Sequence, residues 1–435
     1  MKILLSSDLN PGQVNGVIVS VLNLKKELEK KGHEVRLLCL SADHRSHIEG
    51  SIYYVGSLPL NIYPDIRASL HIQSDLLDEL VAWHPDIIHS QCEFFTYSFV
   101  QRIAGKCHCP IVHTYHTLYR YYVRYVLPGR MMERLIVPVM RYRLRTADAV
   151  IAPTRKTKNL LVAHGIAEHT VVIATGIDLG KYDASLSKEK AEAMRQALAI
   201  PPEGRIYGSV GRLGEEKNLD EILRAHQALL KRHPDAYLVL VGDGAYRQKL
   251  EEAVDALSIR NRTRFTGMVP PDQVGLYYRL FEFFVSASVS ETQGLTYIEA
   301  LANGRPVLAR RDDAPEEVVE EGKNGFLFDT TDQLVEQMDR LLSDAALLSA
   351  LSDQAWASRD RFGMQTFGNR VEALYQKVLN TPGRPQLQQE QVITKLRQKV
   401  NLVSDRSDYG RFYAILRAKW ARTNYQLRLK RKSKS

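Results

Sequence analysis

The sequence predicts an α/β chain of two doubly wound, Rossmann-like domains followed by a basic tail. Three observations predict it. At 435 residues the chain exceeds what one ordinary core organises, so two domains are expected. Short apolar runs alternate with helical patterns through two long stretches, which means parallel sheets with helices on both faces. The net charge of +9 is confined to one end: residues 411–435 hold nine Lys or Arg and no acid, so residues 1–410 are neutral overall. A hydrophobic content of 44% suffices to fill two globular cores.

The first domain is expected over residues 1–195. Residues 2–7 read as a buried strand, and Asn10-Pro11-Gly12 and Asn15-Gly16 as a loop. A helix follows at 17–31, where Val17, Val21, Leu24 and Leu28 recur at helical spacing and Gly32 stops it. Strands at 35–40, 52–55, 86–90 and 111–115 then alternate with helices near 66–83 and 94–105. Residues 118–147 break the rhythm with five tyrosines, seven arginines and a single acid, Glu133. Projected as a helix, Arg130, Arg134, Arg141 and Arg145 share an arc opposite Met132, Leu135, Ile136 and Val139, with Pro138 as a candidate kink. Two readings fit this stretch: a helix lying in a membrane interface, or an amphipathic helix docked on its own sheet.

Strands at 149–153 and 171–176 and a helix-and-linker at 177–202 lead to the second domain, expected over 196–363. Its strands are expected at 206–210, 237–241, 264–267, 283–287, 306–309 and 326–328. A last helix is expected at 364–380 and a linker at 381–400; in the tail, Phe412, Leu416, Trp420 and Leu427 share one face if it is helical. No run of about eighteen apolar residues occurs, so no membrane-crossing helix is expected. The opening MKILLSSD is too short an apolar run for a signal peptide. The four cysteines lack paired metal spacing, and Cys107-His108-Cys109 reads as an incidental turn. A cytoplasmic location is expected.

Ligands of doubly wound sheets sit at the carboxyl ends of the strands. Three motifs fall there. In SETQGLTYIEA, Glu291 lies in the loop and Glu299 in the helix that Gly294 introduces, so two carboxylates flank a helix start whose amides suit a phosphate. In GRLGEEKNL, Arg212 and Lys217 could both reach a diphosphate. In HTYHT, alternation puts His113 and His116 on opposite faces, so one histidine faces the site. A diphosphate between two polyols, as in a sugar nucleotide, fits this layout. There is no dinucleotide-binding GxGxxG after the first strand and no P-loop, which argues against nicotinamide enzymes and P-loop kinases. No Asp-x-Asp pair exists to hold a metal on a diphosphate, so cations and a helix end are left for that work.

Together these residues resemble the retaining family-4 glycosyltransferases of the two-domain GT-B type. The resemblance rests on NGV at 15–17, TYHT at 114–117, TGID at 175–178, GRLGEEKNL at 211–219, VGDG at 241–244 and SETQGLTYIEALANGRPVL at 289–307, and spans about residues 1–380. The run HTYHTLYRYYVRYV is most similar to the branch that adds α-glucose to the 3-hydroxyl of diacylglycerol, making the glucolipid on which lipoteichoic acid is often built. The resemblance implies two domains facing across a cleft, with helix 364–380 crossing back to the first. It implies UDP-glucose as donor, diacylglycerol as acceptor, no permanent cofactor and no required metal. It implies that Arg212 and Lys217 stabilise the leaving UDP, that Glu299 holds the ribose and that Glu291 holds a sugar hydroxyl. The amides of Gln293, Gly294 and Leu295 would touch sugar and phosphate, and His116 would sit beside the sugar. Gly16 would let the first-domain loop approach the donor, and Met268 and Val269 would hold the nucleobase through their backbone. Retention would follow from front-face attack, the departing phosphate taking the acceptor proton.

Residues 118–146 and the tail 409–435, within the segment 381–435 beyond the family core, suit an anionic membrane surface better than nucleic acid, since no nucleic-acid fold accompanies them. The expected location is therefore the inner face of the cell membrane, peripherally bound. A mannosyl or galactosyl donor, another membrane-borne or polysaccharide acceptor, and a non-catalytic membrane scaffold of the same fold are the competing readings.

Overall fold

The computed structural model describes residues 1–13, 16–59, 67–69, 74–116, 137–138, 140–167, 169–183, 185–289, 291 and 293–381. The chain forms two compact units. One comprises Met1–Pro153, Thr157–Ile173 and the chain from Phe367; the other comprises Thr154–Lys156 and Ala174–Thr366.

The first unit is built on an eight-stranded sheet. In chain order its strands are β1 (Lys2–Ser7), β2 (Glu34–Leu40), β3 (His47–Glu49), β4 (Ile52–Val55), β7 (Ile87–Ser90), β8 (Ile111–Thr114), β9 (Ala149–Ala152) and β10 (Thr170–Val172); β5 (Leu58–Pro59) and β6 (Arg67–Ala68) form a separate small pair. The spatial order is β10-β9-β8-β7-β1-β2-β4-β3, parallel except for β3, which closes one edge antiparallel to β4. The order reverses beside β1, so the loops after β1 and β7 open next to each other. Leu4, Leu38, Ile88, Val100 and Ile103 form the core between this sheet and the helix Phe95–Cys107. That helix has no cap from its own Phe94. Asp8, at the end of β1, supplies it: its carboxylate accepts from the amides of Phe95 at 3.1 Å and Thr96 at 2.7 Å.

The second unit holds a six-stranded sheet, parallel throughout: β11 (Arg205–Val210), β12 (Ala236–Val241), β13 (Thr263–Phe265), β14 (Phe284–Ser286), β15 (Val307–Arg310) and β16 (Gly325–Phe328), in the order β13-β12-β11-β14-β15-β16. Both faces are covered. Leu238 and Leu240 pack into one core, Val239 and Val241 into the other, which is why this strand reads as an unbroken apolar run. Here the order reverses between β11 and β14, so the loops that follow these two strands are neighbours.

Three expectations change. The division between units falls after Ile173, not after residue 195. Residues 174–195 pack on the second core through Ile177, Leu179, Tyr182, Ala191 and Met194, and Ile177 exchanges backbone hydrogen bonds with Phe362 and Met364. The helix expected from residue 66 starts at Ser74; Arg67 instead donates to the Ser57 hydroxyl at 2.7 Å and carbonyl at 3.0 Å, holding β6 as a strand. The short edge strand β3 has no apolar alternation to announce it.

Residues 137–138 and 140–144 bear on the two readings left open for the basic segment. Met140 and Leu144 are buried in the first core, and Arg143 is buried with its guanidinium on the carbonyls of Glu93 and Phe94. Arg141, on the cationic arc, is exposed and donates to the carbonyl of His164. This end of the basic segment is thus docked on its own sheet. Residues 118–136 and the tail lie outside the described residues, and among the described residues no helix is long and apolar enough to cross a membrane.

The helix Met364–Asn380 joins the first unit from Phe367 onward. Tyr375 is fully buried and meets His89 Nδ1 at 2.6 Å, and Glu372 pairs with Lys31 and His33.

Candidate active site

In the second unit the adjacency of the β11 and β14 loops brings Glu216 and Lys217 against Val289 and Glu291. Lys217 Nζ lies 2.5 Å from Glu291 Oε1, and the amide of Val289 bonds the carbonyl of Glu216. The Arg212 guanidinium lies 2.5 Å from Glu216 Oε1 and is the more exposed of the two cations, at 43% against 27% for Lys217. Burial pushes the Glu291 carboxyl up. The charge and hydrogen bond of Lys217, aided by Ser288 and Lys156, outweigh burial and hold it below the usual carboxylate range. Lys156 is itself engaged with Asp312.

The GRLG and VGDG turns need their glycines. A Cβ on Gly242 would lie 2.0 Å from the Gly211 carbonyl oxygen, and one on Gly244 2.3 Å from that of Leu213. Two turns thus stack backbone on backbone and set the position of Arg212.

Gly294, at φ +74°, precedes the helix Leu295–Ala302, and a Cβ there would meet the Tyr297 ring at 2.3 Å. The positive end of that helix opens beside Glu291. The Gln293 side chain does not point to open space: its Oε1 accepts from the Thr175 amide at 2.7 Å and its Nε2 donates to the Thr175 carbonyl at 2.8 Å. Both residues are buried, so this side chain ties the TGID segment to the loop.

Glu299 is one turn into the helix. Tyr278 Oη lies 2.9 Å from its Oε2, and the Tyr182 hydroxyl also bonds it. Burial raises its carboxyl above the usual range against the opposing pull of those two phenols. Met268 is 76% exposed on the turn after β13, whereas Val269 packs on the second core.

In the first unit His113 is wholly buried against Glu93, at 3.2 Å, and His116 is partly exposed. Burial pushes His116 down to about 4, with Glu93 opposing and His113 adding to the fall, so it is neutral at pH 7. Its Nε2 lies 2.6 Å from Gln91 Oε1; that partner makes Nε2 the protonated nitrogen and leaves Nδ1 as an acceptor. Gly16 opens the helix Gly16–Lys30 and is exposed. Among the described residues no three His, Cys, Asp or Glu side chains converge as a metal set.

Arg212, Lys217, Glu291, Gln293, Gly294, Leu295 and Glu299 therefore meet around one strand-order reversal. Met268 and Val269 follow β13 at the far edge of the same sheet. Tyr182, Tyr278 and the Gln91–His116 pair escaped the sequence reading. Only Tyr182 had a signal, its closeness to TGID.

Residues 14–181 match the family described as Glycosyltransferase Family 4, and residues 190–357 that described as Glycosyl transferases group 1. The alpha-monoglucosyldiacylglycerol synthase of Streptococcus pneumoniae is 36% identical over 312 residues, 71% of this chain and 71% of that protein. The enzyme of the same name from Acholeplasma laidlawii is 27% identical over 385 residues, 86% of this chain and 96% of the relative. Among solved structures, Anabaena Alr3699/HepE in complex with UDP and glucose has a similar fold (TM-score 0.68, 20% identity, covering 87% of this chain and 100% of that one). So does the sucrose-phosphate synthase of Thermosynechococcus elongatus (TM-score 0.67, 22% identity, covering 88% and 100%). The two parallel sheets, the motifs at their strand ends and these matches agree: the chain belongs to the GT-B glycosyltransferases, with a family-4 first half and a group-1 second half.

Proposed function

We propose that this glycosyltransferase moves glucose from UDP-glucose to the 3-hydroxyl of 1,2-diacylglycerol, with retention, at the inner face of the cell membrane. The observation that carries the transfer chemistry is the Lys217–Glu291 pair beside the Gly294 helix start. A cation and a helix end there would meet the charge that a diphosphate develops, and the carboxylate would accept from a sugar hydroxyl. Support for glucose and diacylglycerol comes from the names of the Streptococcus and Acholeplasma relatives and from the basic aromatic segments.

In this reading Lys217 and Arg212 take up the diphosphate, each loosening its hold on a neighbouring carboxylate. Glu299, oriented by Tyr278 and Tyr182, accepts from the ribose. Glu291 accepts from a glucose hydroxyl, and His116 presents Nδ1 to the sugar. The bond from the anomeric carbon to the phosphate oxygen breaks, and the acceptor oxygen bonds that carbon on the same face. The acceptor proton passes to the leaving phosphate. Side chains orient and neutralise charge, and no protein nucleophile is needed. Arg212 and Lys217 supply the positive charge, so no metal is required.

Product analysis tests the reading. The protein is incubated with UDP- and GDP-sugars and vesicles of diacylglycerol in phosphatidylglycerol, with and without magnesium. An α-glucosyl diacylglycerol is the expected product. UDP release with another acceptor would discard the lipid, and a mannosyl or galactosyl product would discard glucose. Neither product nor nucleotide binding would leave a membrane scaffold.

A further inference from the structure

Away from the strand ends that hold Lys217 and Glu291, the second unit carries three arginines around one tryptophan. The Arg359 guanidinium carbon lies 3.8 Å from the centre of the Trp356 ring, and that of Arg279 lies 6.0 Å from it. Arg305 follows Gly304, where an added Cβ would lie 3.7 Å from the Trp356 side chain. Burial lowers the Arg305 guanidinium below its ordinary value and the positive charge of Arg279 lowers it further; burial and then Arg359 do the same to Arg279. Arg279 is therefore close enough to feel the positive charge of Arg359, and Arg305 that of Arg279.

Their neighbours offset this only in part. Arg279 donates to the Tyr182 carbonyl, a neutral acceptor. Arg359 Nη2 holds Asp183 at 2.5 Å, and its Nε lies 3.9 Å from Asp360, whose carboxylate is 88% exposed and so well screened. Glu282 is already gripped by Arg205. Two donors remain buried without a partner, Arg305 Nε and Arg359 Nη1. A buried N–H on a cation is costly when unpaired, and native proteins fill such a place with a partner. Guanidinium forks match the oxygens of a phosphate, which can take several donors at once. Trp356, 41% exposed, leaves an apolar rim for whatever the phosphate is attached to.

We propose that Arg279, Arg305 and Arg359, gathered at Trp356, form a binding site for a phosphate group. The site is separate from the diphosphate position assigned to Arg212 and Lys217. Two sources share this chemistry: a free phosphate ion and the headgroup of an anionic phospholipid.

The test compares the full chain with Arg305→Gln and Lys217→Ala. Thermal unfolding is followed in inorganic phosphate against chloride at matched ionic strength. Phosphate is expected to raise the midpoint of the wild type and of Lys217→Ala by a few degrees, by mass action. Arg305→Gln is expected to lose that rise and, without phosphate, to be at least as stable as the wild type, because an unpaired buried cation has gone. A second arm uses vesicles of brominated phosphatidylglycerol or brominated phosphatidylcholine and reads quenching of the emission that Trp356→Phe removes. Quenching by the phosphatidylglycerol vesicles alone assigns the lipid headgroup; a midpoint rise without quenching assigns free phosphate. A phosphate rise kept by Arg305→Gln or lost by Lys217→Ala overturns the proposal, as does the absence of both signals.

Discussion

Lys217→Met tests the centre of the site. The substitution keeps the aliphatic stem and removes the charge 2.5 Å from Glu291. Glu291 then keeps its burial and only the weaker help of Ser288 and Lys156, so its carboxyl rises instead of being held low. Breaking a buried ion pair by deleting one partner costs about 3–5 kcal/mol, and because 27% and 15% of the two side chains stay exposed we expect about 3 kcal/mol. The pH dependence has a definite sign. In the wild type the folded carboxyl lies below its unfolded value, so its stabilisation is present above the unfolded value and fades as pH falls through the folded one. In the variant the folded carboxyl lies above the unfolded value, so the deficit is greatest near neutral pH and shrinks on acidification. Urea unfolding at neutral pH and near pH ~5 reads both, and adding Glu291→Gln to Lys217→Met should recover much of the loss. A deficit under about 1 kcal/mol at neutral pH, set against the 3–5 expected of a broken buried pair, would refute the reasoning. So would a deficit that acid leaves unchanged.

Other perturbations probe the rest of the molecule. Glu299→Gln should weaken UDP binding roughly tenfold to a hundredfold, the worth of a hydrogen bond to a charged acceptor. Because burial raises the Glu299 carboxyl, wild-type UDP affinity should fall on the acid side and the variant's should not; titration calorimetry across pH shows which. Gln293→Leu strands the buried amide and carbonyl of Thr175 and should cost about 2–4 kcal/mol in urea unfolding, with wild-type stability counting against the tie. Deleting residues 401–435 removes ten basic side chains and two acids, each basic one contributing about 1 kcal/mol near an anionic membrane. Sedimentation with phosphatidylglycerol liposomes should drop while UDP affinity holds, and unchanged sedimentation would remove the tail from the account.

Much of the site was legible because doubly wound sheets bind ligands at strand ends. Arg212, Lys217, Glu291 and Glu299 each lie within a few residues of a readable strand or helix start. What those side chains touch was not legible. Gln293 was expected to offer its backbone amide near the sugar; its side chain, for which nothing was expected, holds Thr175, 118 positions away. Asp8 caps a helix 87 residues on, and Tyr375 reaches His89 across 286. Arg141 is exposed, as its place on the cationic arc implied, but a helical projection records angle alone and could not show the carbonyl of His164 that it holds.

Periodicity and composition are local quantities. They suffice for the strand–helix alternation, the two-domain plan, the basic end of the chain and the motifs at the strand ends. Pairing is a property of space. The neighbour of Lys217, the phenols that hold Glu299, the nitrogen of His116 left to accept a hydrogen bond and the crowding of Arg279, Arg305 and Arg359 all depend on strand order and helix packing. A buried charge takes its pKa from whatever lies within a few ångströms, and residues far apart in the chain become its neighbours only when both sheets have closed over their cores.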